Sequence, residues 1–464
     1  MKISLRKLFG FLILFLLTLN SVTFSQFKLP TYKVIELDNG LTIYLMEKKD
    51  VPIISFAMAF DAGSIKDGAE YGIAAFTAEA LKFGTTNYSK SQIDSIFNFY
   101  GSNLNINSNK DYSGLFTQIM KENFEVLLPV IKEVVTQPTF PKEEIEKRKQ
   151  RWLAELDQMK ESPRRVIGDY FNKLVFDDAI YSNPISGTKA SIQLIDEKKV
   201  SEFYLTNYRP ENSVIAIVGD FKSEQMSSLI QKYFGNWKNN SPKVISDIRF
   251  AQKTFEEPRV YLINKDNAFE TTFMIGSFGI TMSNPEYIQL DVINTILGGR
   301  FTSWLNDELR VNAGLTYGAR SRFNPYKHSG TFFFTSFTTT KNTEAALELA
   351  MKTYNRLFEK GIDEATLTSA KNYVKGQFPP EYETSSSIAL YLIQKYVYGI
   401  DDSFINDFEK KVNELDVNKA NELVKKYFPK ENLQFVLIGK ADAIRDIAKK
   451  YGRVIEKNLN DDGF

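Results

Sequence analysis

The feature that most constrains this chain is a supersecondary unit that it carries twice. Tyr208-Arg209-Pro210-Glu211-Asn212 leads into the apolar run Ser213–Val218 and stops at Gly219. Pro429-Lys430-Glu431-Asn432 leads into Leu433–Ile438 and stops at Gly439. A helical stretch precedes each run (Val200–Leu205 and Ala420–Tyr427). An amphipathic helix follows each, closing in Lys232-Tyr233-Phe234-Gly235 or Lys450-Tyr451-Gly452. Short apolar runs bounded by turn residues read as buried strands. The repeat distance of about 220 residues is far beyond the periods of solenoid proteins. The chain therefore consists of two similar halves.

The remaining pattern fits that duplication. Strand-forming sequence from Ile43 to Phe60 and helices over Gly72–Phe83 and Lys90–Tyr100 open the first half. Strands Arg259–Asn264 and Thr271–Phe278 and a helix over Pro285–Leu297 open the second. A strand ending near Lys121, then helices Glu122–Thr136 and one from Pro141, match a strand Gly330–Phe337 with helices Thr343–Phe358 and one from Asp363. Strands grouped with helices in this way predict an α+β fold. Each half is a mainly antiparallel sheet covered by helices. The first domain spans 26–236, a linker holding Asn239-Asn240-Ser241-Pro242 spans 237–258, and the second domain spans 259–464.

Residues 1–25 stand apart. Lys2, Arg6 and Lys7 precede the apolar run Leu8–Leu19, and small residues follow at Ser21 to Ser25. This is the pattern of a secretory signal peptide cleaved near Ser25/Gln26, with an apolar run too short to span a bilayer. The expected destination is the periplasm or the exterior, with no membrane attachment after cleavage. Loss of the three basic residues takes the formal net charge from +1 to −2.

Composition narrows the chemistry. Of 464 residues none is cysteine and one, His328, is histidine. Thiolate chemistry and disulfides are excluded, as is a zinc site with two or three His ligands from one chain. The near balance of 58 basic and 57 acidic residues, without a basic run, argues against nucleic acid as a partner. The lone His328 reads as a loop residue without a role.

Several segments carry a family resemblance: Asn39-Gly40-Leu41-Thr42, Phe60-Asp61-Ala62-Gly63-Ser64, and Gly72 to Thr85. In the second half they are Leu297-Gly298-Gly299-Arg300-Phe301-Thr302-Ser303, Leu309-Arg310 and Gly314-Leu315-Thr316-Tyr317. The chain resembles the insulinase/pitrilysin metallopeptidases in both halves. The signature of that family is H-x-x-E-H on a helix, where two His hold zinc and the Glu is general base. On this sequence the two His positions fall on Ala75 and Glu79 and the base on Ala78. The third ligand of the family falls on Glu155, and an acidic position seven residues earlier falls on Arg148. This chain thus carries no catalytic residue or zinc of its own. Glu79 and Glu155 are either a weak two-carboxylate cation site or ordinary surface groups, with Glu155 paired to Arg151 and Glu79 lining an empty groove.

The resemblance also singles out Arg310 and Tyr317, which correspond to a substrate-binding Arg and Tyr of the two-chain members of the family. With Arg310 at a helix end, a turn at Asn312-Ala313-Gly314, and Tyr317 on the next strand, a guanidinium and a phenol can converge on one carbonyl. The alternative is an Arg capping helix-end carbonyls and a Tyr packed in the sheet. Together these points imply a non-catalytic, peptide-binding subunit of a secreted two-chain peptidase. It would be half of a four-domain clam-shell, with zinc and H-x-x-E-H on the partner subunit of a heterodimer. A peptide-binding or scaffold protein of the same fold with no peptidase role is the rival expectation.

Overall fold

In the computed structural model, residues 27–239, 250 and 254–464 are described. The expected signal peptide and most of the expected linker lie outside them. Among the described residues, twelve strands form two six-stranded sheets. The first comprises β1 (Lys33–Glu36), β2 (Thr42–Glu47), β3 (Ile53–Phe60), β4 (Asn105–Ser108), β5 (Ser113–Met120) and β6 (Ser213–Gly219), in the order β1-β2-β6-β3-β5-β4. The second comprises β7 (Arg259–Asn264), β8 (Glu270–Phe278), β9 (Ala319–Pro325), β10 (Gly330–Thr339), β11 (Gln434–Gly439) and β12 (Arg453–Asn458), in the order β12-β7-β11-β8-β10-β9.

The two orders are the same once the outermost strand beside β2 or β7 is set aside. That edge is filled by the first strand, antiparallel to β2, in one half and by the last strand, parallel to β7, in the other. β2 runs parallel to β6, and β7 to β11; apart from β12 beside β7, all other neighbours are antiparallel. β6 and β11 are the duplicated apolar runs, and every residue of each is buried. They are central strands with both faces covered, so no alternation appears in their sequence.

The helices used below are α1 (Ile73–Ala80), α2 (Lys142–Lys160), α3 (Pro163–Phe176), α4 (Tyr287–Asn294), α5 (Glu364–Glu381), α6 (Ser385–Tyr398) and α7 (Val417–Tyr427). One face of the first sheet, including Phe56, Met58, Phe60, Ile215 and Ile217, packs against helices of its own half through residues such as Phe76, Leu127 and Ile131. Its other face carries small residues at Ala57, Ala59 and Ala216, because strand side chains alternate.

What covers that second face comes from the other half. α6, with Ile388 and Leu392, lies across β3 and β6. In return α3, with Val166, Ile167, Tyr170, Phe171 and Leu174 on one stripe, lies across β8 and β11 against Met274, Val436 and Ile438. The chain ends repeat the exchange. Phe27 packs edge-on against Phe378, and Leu29 donates its N–H to the side-chain Oδ1 of Asn406 at 2.9 Å. At the other end, the Asp462 carboxylate accepts from Lys189 and Ala190 N–H at 2.8 and 2.9 Å.

A buried polar staple joins the halves as well. Tyr181 donates to the Asp111 carboxylate at 2.7 Å. The backbone N–H of Lys327 donates to the same carboxylate at 3.1 Å, and that of His328 to the Tyr181 oxygen at 3.0 Å. His328 therefore sits in the β9–β10 turn, anchored by its backbone.

Candidate functional site

α1 is the helix on which the metal signature would fall. The Asp67 carboxylate fixes its start by accepting from Gly72 N–H at 2.8 Å and Ala74 N–H at 3.0 Å. Gly72 has φ +90, and an added Cβ would lie 2.9 Å from the Gly187 backbone, so only glycine fits this entry. Ala75 and Ala78 are buried methyl groups in the first core. Glu79, one third exposed, is the polar residue of this face.

A guanidinium from α2 meets it. Arg148 Nε donates to Glu79 Oε2 at 2.6 Å and Nη2 to Oε1 at 3.2 Å. The same group donates from Nη1 and Nη2 to the two oxygens of Glu155, both at 3.0 Å. Its planar face lies 4.4 Å from the centre of the Trp152 ring. Trp152 is itself held by an Nε1–H bond to Ser186 O at 2.9 Å. Positions 148, 152 and 155 share one helix face, so about two turns of α2 supply cation, ring and carboxylate.

Two expectations are corrected here. The partner of Glu155 is Arg148, not Arg151, and Glu79 does not line an empty groove but is clamped by the same guanidinium. The reason is reach across two helices: a forked donor from α2 bridges to α1, which helix periodicity alone does not reveal.

Zinc does not fit this arrangement. Ala75 and Ala78 offer no donor atom, and all four carboxylate oxygens of Glu79 and Glu155 accept from Arg148. Among the described residues no group of three or more His, Cys, Asp or Glu side chains is placed to hold a metal ion. The positive charge that these carboxylates need is supplied covalently by the chain.

The second set of predicted residues lies in another place. Past α4 the chain winds through wide π-helical turns at Thr295–Gly299 and Asp307–Asn312, and Arg310 belongs to the latter. Gly298 presses on β9; an added Cβ would lie 2.1 Å from Ser321 N. Asn294 bonds Ser321 twice, and Asn306 accepts from Ala319 N–H at 3.3 Å while donating to Phe301 O at 2.6 Å. These amides tie the turns to the strand edge. Arg310 stacks over Phe301 at 4.7 Å.

Tyr317 is 81% exposed and lies in the loop before β9, not on the strand as expected. Neither alternative, a capping Arg or a packed Tyr, is realised: among the described residues Arg310 bonds no helix carbonyl, and Tyr317 is outside the core. No hydrogen bond joins the two side chains. Arg310 lines a cleft of about 730 Å³ that contains none of Glu79, Arg148 and Glu155, so the two sets of predicted residues do not meet in one pocket.

Residues 43–189 match the family model described as insulinase (peptidase family M16), and residues 195–374 match that of the peptidase M16 inactive domain. The chain belongs to the M16 insulinase family. Among M16 relatives, the zinc protease PqqE of Helicobacter pylori is 24% identical, over 91% of this chain and 97% of the relative. The non-peptidase homolog YmxG of the same organism is 24% identical over 81% of this chain and 86% of its own length. An uncharacterized zinc protease, YmxG of Bacillus subtilis, is 22% identical over 75% and 84%. A crystal structure of a peptidase M16 inactive domain from Pseudomonas fluorescens superposes with a TM-score of 0.82 over 88% of this chain and 98% of its own, at 24% identity. That last likeness speaks for the M16 fold alone.

The sequence singled out Glu79 and Glu155 and placed Arg148 at an acidic position of the family, but did not pair that arginine with the two carboxylates. Its signal was a basic residue where an acidic one is usual. That Arg310 shares a cleft with Arg164, Arg165, Arg300 and Arg320 carried no signal, because the cluster joins positions far apart in the chain.

Proposed function

We propose that this chain is the non-catalytic, substrate-binding subunit of an exported two-chain zinc peptidase. The zinc and the H-x-x-E-H helix belong to a partner subunit of the same family, and the two chains assemble as a four-domain clam-shell. The observation that carries this reading is the Arg148 clamp on Glu79 and Glu155 beside two buried alanines. It supplies a guanidinium where a peptidase needs a metal ion with an open coordination position. The existence of a relative named as a non-peptidase homolog is in keeping with it.

In this reading Arg310 and Tyr317 bind and orient the peptide at its scissile carbonyl. The exposure of Tyr317 suits a side chain that is covered only when a partner closes over it. The test is a reconstituted pair with an H-x-x-E-H chain, its assembly verified by gel filtration. Tyr317→Phe should lower turnover by about a hundred- to thousandfold without loss of assembly, as expected for one missing oxyanion donor. Arg310→Ala should weaken peptide binding as well. Wild-type rates for both variants would leave the scaffold or peptide-binding role as the better reading. A mature N-terminus near Gln26 in an osmotic-shock fraction is the matching result for export.

A further inference from the structure

The cleft beside Arg310 has a charge distribution that a near-neutral protein does not produce by default. Five arginines line it, Arg164, Arg165, Arg300, Arg310 and Arg320, and no Asp, Glu or Lys does. Arg164 and Arg165 come from α3 of the first half, the other three from the second half, so the helix exchange builds this cleft.

The state of each guanidinium indicates how much charge is free. Arg164 lies 3.4 Å from the centre of the Phe337 ring and forms an exposed ion pair with Glu270 at 3.1 Å. Arg300 donates to Ser369 through Nη1, and its Nε is buried with no partner. Arg165, Arg310 and Arg320 form no ion pair among the described residues. Four of the five positive charges thus have no carboxylate, although the whole chain has a net charge of only +1. Uncompensated like charges around a concave, partly apolar wall focus a positive potential into it.

The other walls choose among anions. Ile167, Met274, Phe301 and Phe337 contribute apolar surface, and Gly298 and Gly299 leave backbone within reach. The size is that of a site holding a few residues of peptide. Forked guanidinium groups spread over several elements match separate carboxylates better than one compact phosphate. Beyond Gly298 and Gly299 the adjoining chamber is balanced in charge, with Asp291 and Glu381 against Arg320 and Arg322. The uncompensated positive charge therefore gathers on the Arg310 side.

We propose that this cleft binds acidic peptide segments, through Asp and Glu side chains or a terminal carboxylate. The inference rests on the peptide-binding part of the function proposed above and not on the zinc partner, so it is tested on this chain alone. Fluorescence anisotropy would compare a labelled Glu/Asp-rich peptide with its Gln/Asn counterpart, and inorganic phosphate would serve as competitor. The acidic peptide should bind about tenfold or more tightly than the neutral one, and weaken as salt rises. Arg165→Glu with Arg320→Glu should abolish that preference; both side chains are exposed, and circular dichroism should show an unchanged fold. Equal binding of the two peptides, an acid preference retained in the double variant, or full displacement by phosphate at micromolar concentration would overturn the proposal. If binding holds and no zinc partner is found, the cleft stands and the subunit role falls.

Discussion

At the residue scale, Arg148 decides what this M16 chain can hold. One guanidinium satisfies four carboxylate oxygens and stacks on Trp152, a combination that a lysine ammonium cannot reproduce. Arg148→Ala should cost about 1–2 kcal/mol in a denaturant melt, modest because Glu155 is more than half exposed. Arg148→Lys should recover only part of it. A second consequence concerns zinc. Writing His, Glu and His at positions 75, 78 and 79 should restore no stoichiometric zinc while Arg148 remains, as read by elemental analysis. Adding Arg148→Glu to those three changes should allow it.

Acid stability offers another residue-scale test at Glu286. Burial works against its charge, but hydrogen bonds from Tyr427, Lys426 and Lys419 prevail and hold its carboxyl at about 2. A carboxyl that is depressed in the folded state stabilises it above the unfolded value, 4.5, and that contribution fades as pH falls towards 2. Glu286→Gln should therefore lower the urea midpoint at neutral pH, and the gap to wild type should close between pH 4.5 and about 2. A gap that persists undiminished at the acid end would mean that the carboxylate charge is not what joins α7 to the start of α4.

At the scale of elements, the π-helical turns after α4 are positioned by contact with β9 and not by their own propensity. Gly298 lies against the strand backbone, so Gly298→Ala must push the turn away from Ser321. We expect a loss of about 1–3 kcal/mol in stability together with weaker peptide binding in the adjoining cleft. Gly399 is a useful control. Unlike Gly298 it has a positive φ, +65, and its Cβ position is open, so Gly399→Ala should cost stability without affecting binding.

At the scale of the whole molecule, the two halves are one folding unit. Each sheet has one face covered by a helix of the other half, so a half expressed alone would expose the alanine-lined face of the first sheet or the Met274–Val436–Ile438 face of the second. Residues 26–236 and 259–464 should each aggregate when produced separately. Co-expressed, they should purify as a stoichiometric pair that unfolds in a single transition. Independent, soluble, cooperatively folding halves would contradict the exchanged-helix account.

Much of this fold was legible in the amino-acid sequence because its signals are local. The buried runs Ser213–Val218 and Leu433–Ile438, the helical periodicities and the flanking turns depend on neighbours within a dozen residues. The missing donors at Ala75 and Ala78 needed no structure either, since a methyl group cannot bind metal in any conformation. What the sequence could not determine is set by pairs far apart in the chain. The strand that fills each outer edge, the sheet that each of α3 and α6 covers, and the arginines that share a cleft all follow from contacts between the halves. The stripe on α3 states that the helix has an apolar face, and is silent on which sheet receives it. Arg148 shows the same limit at a single residue. Helix spacing offers Glu155 both Arg148 and Arg151, and only the approach of Glu79 from α1 selects the one that bridges both carboxylates.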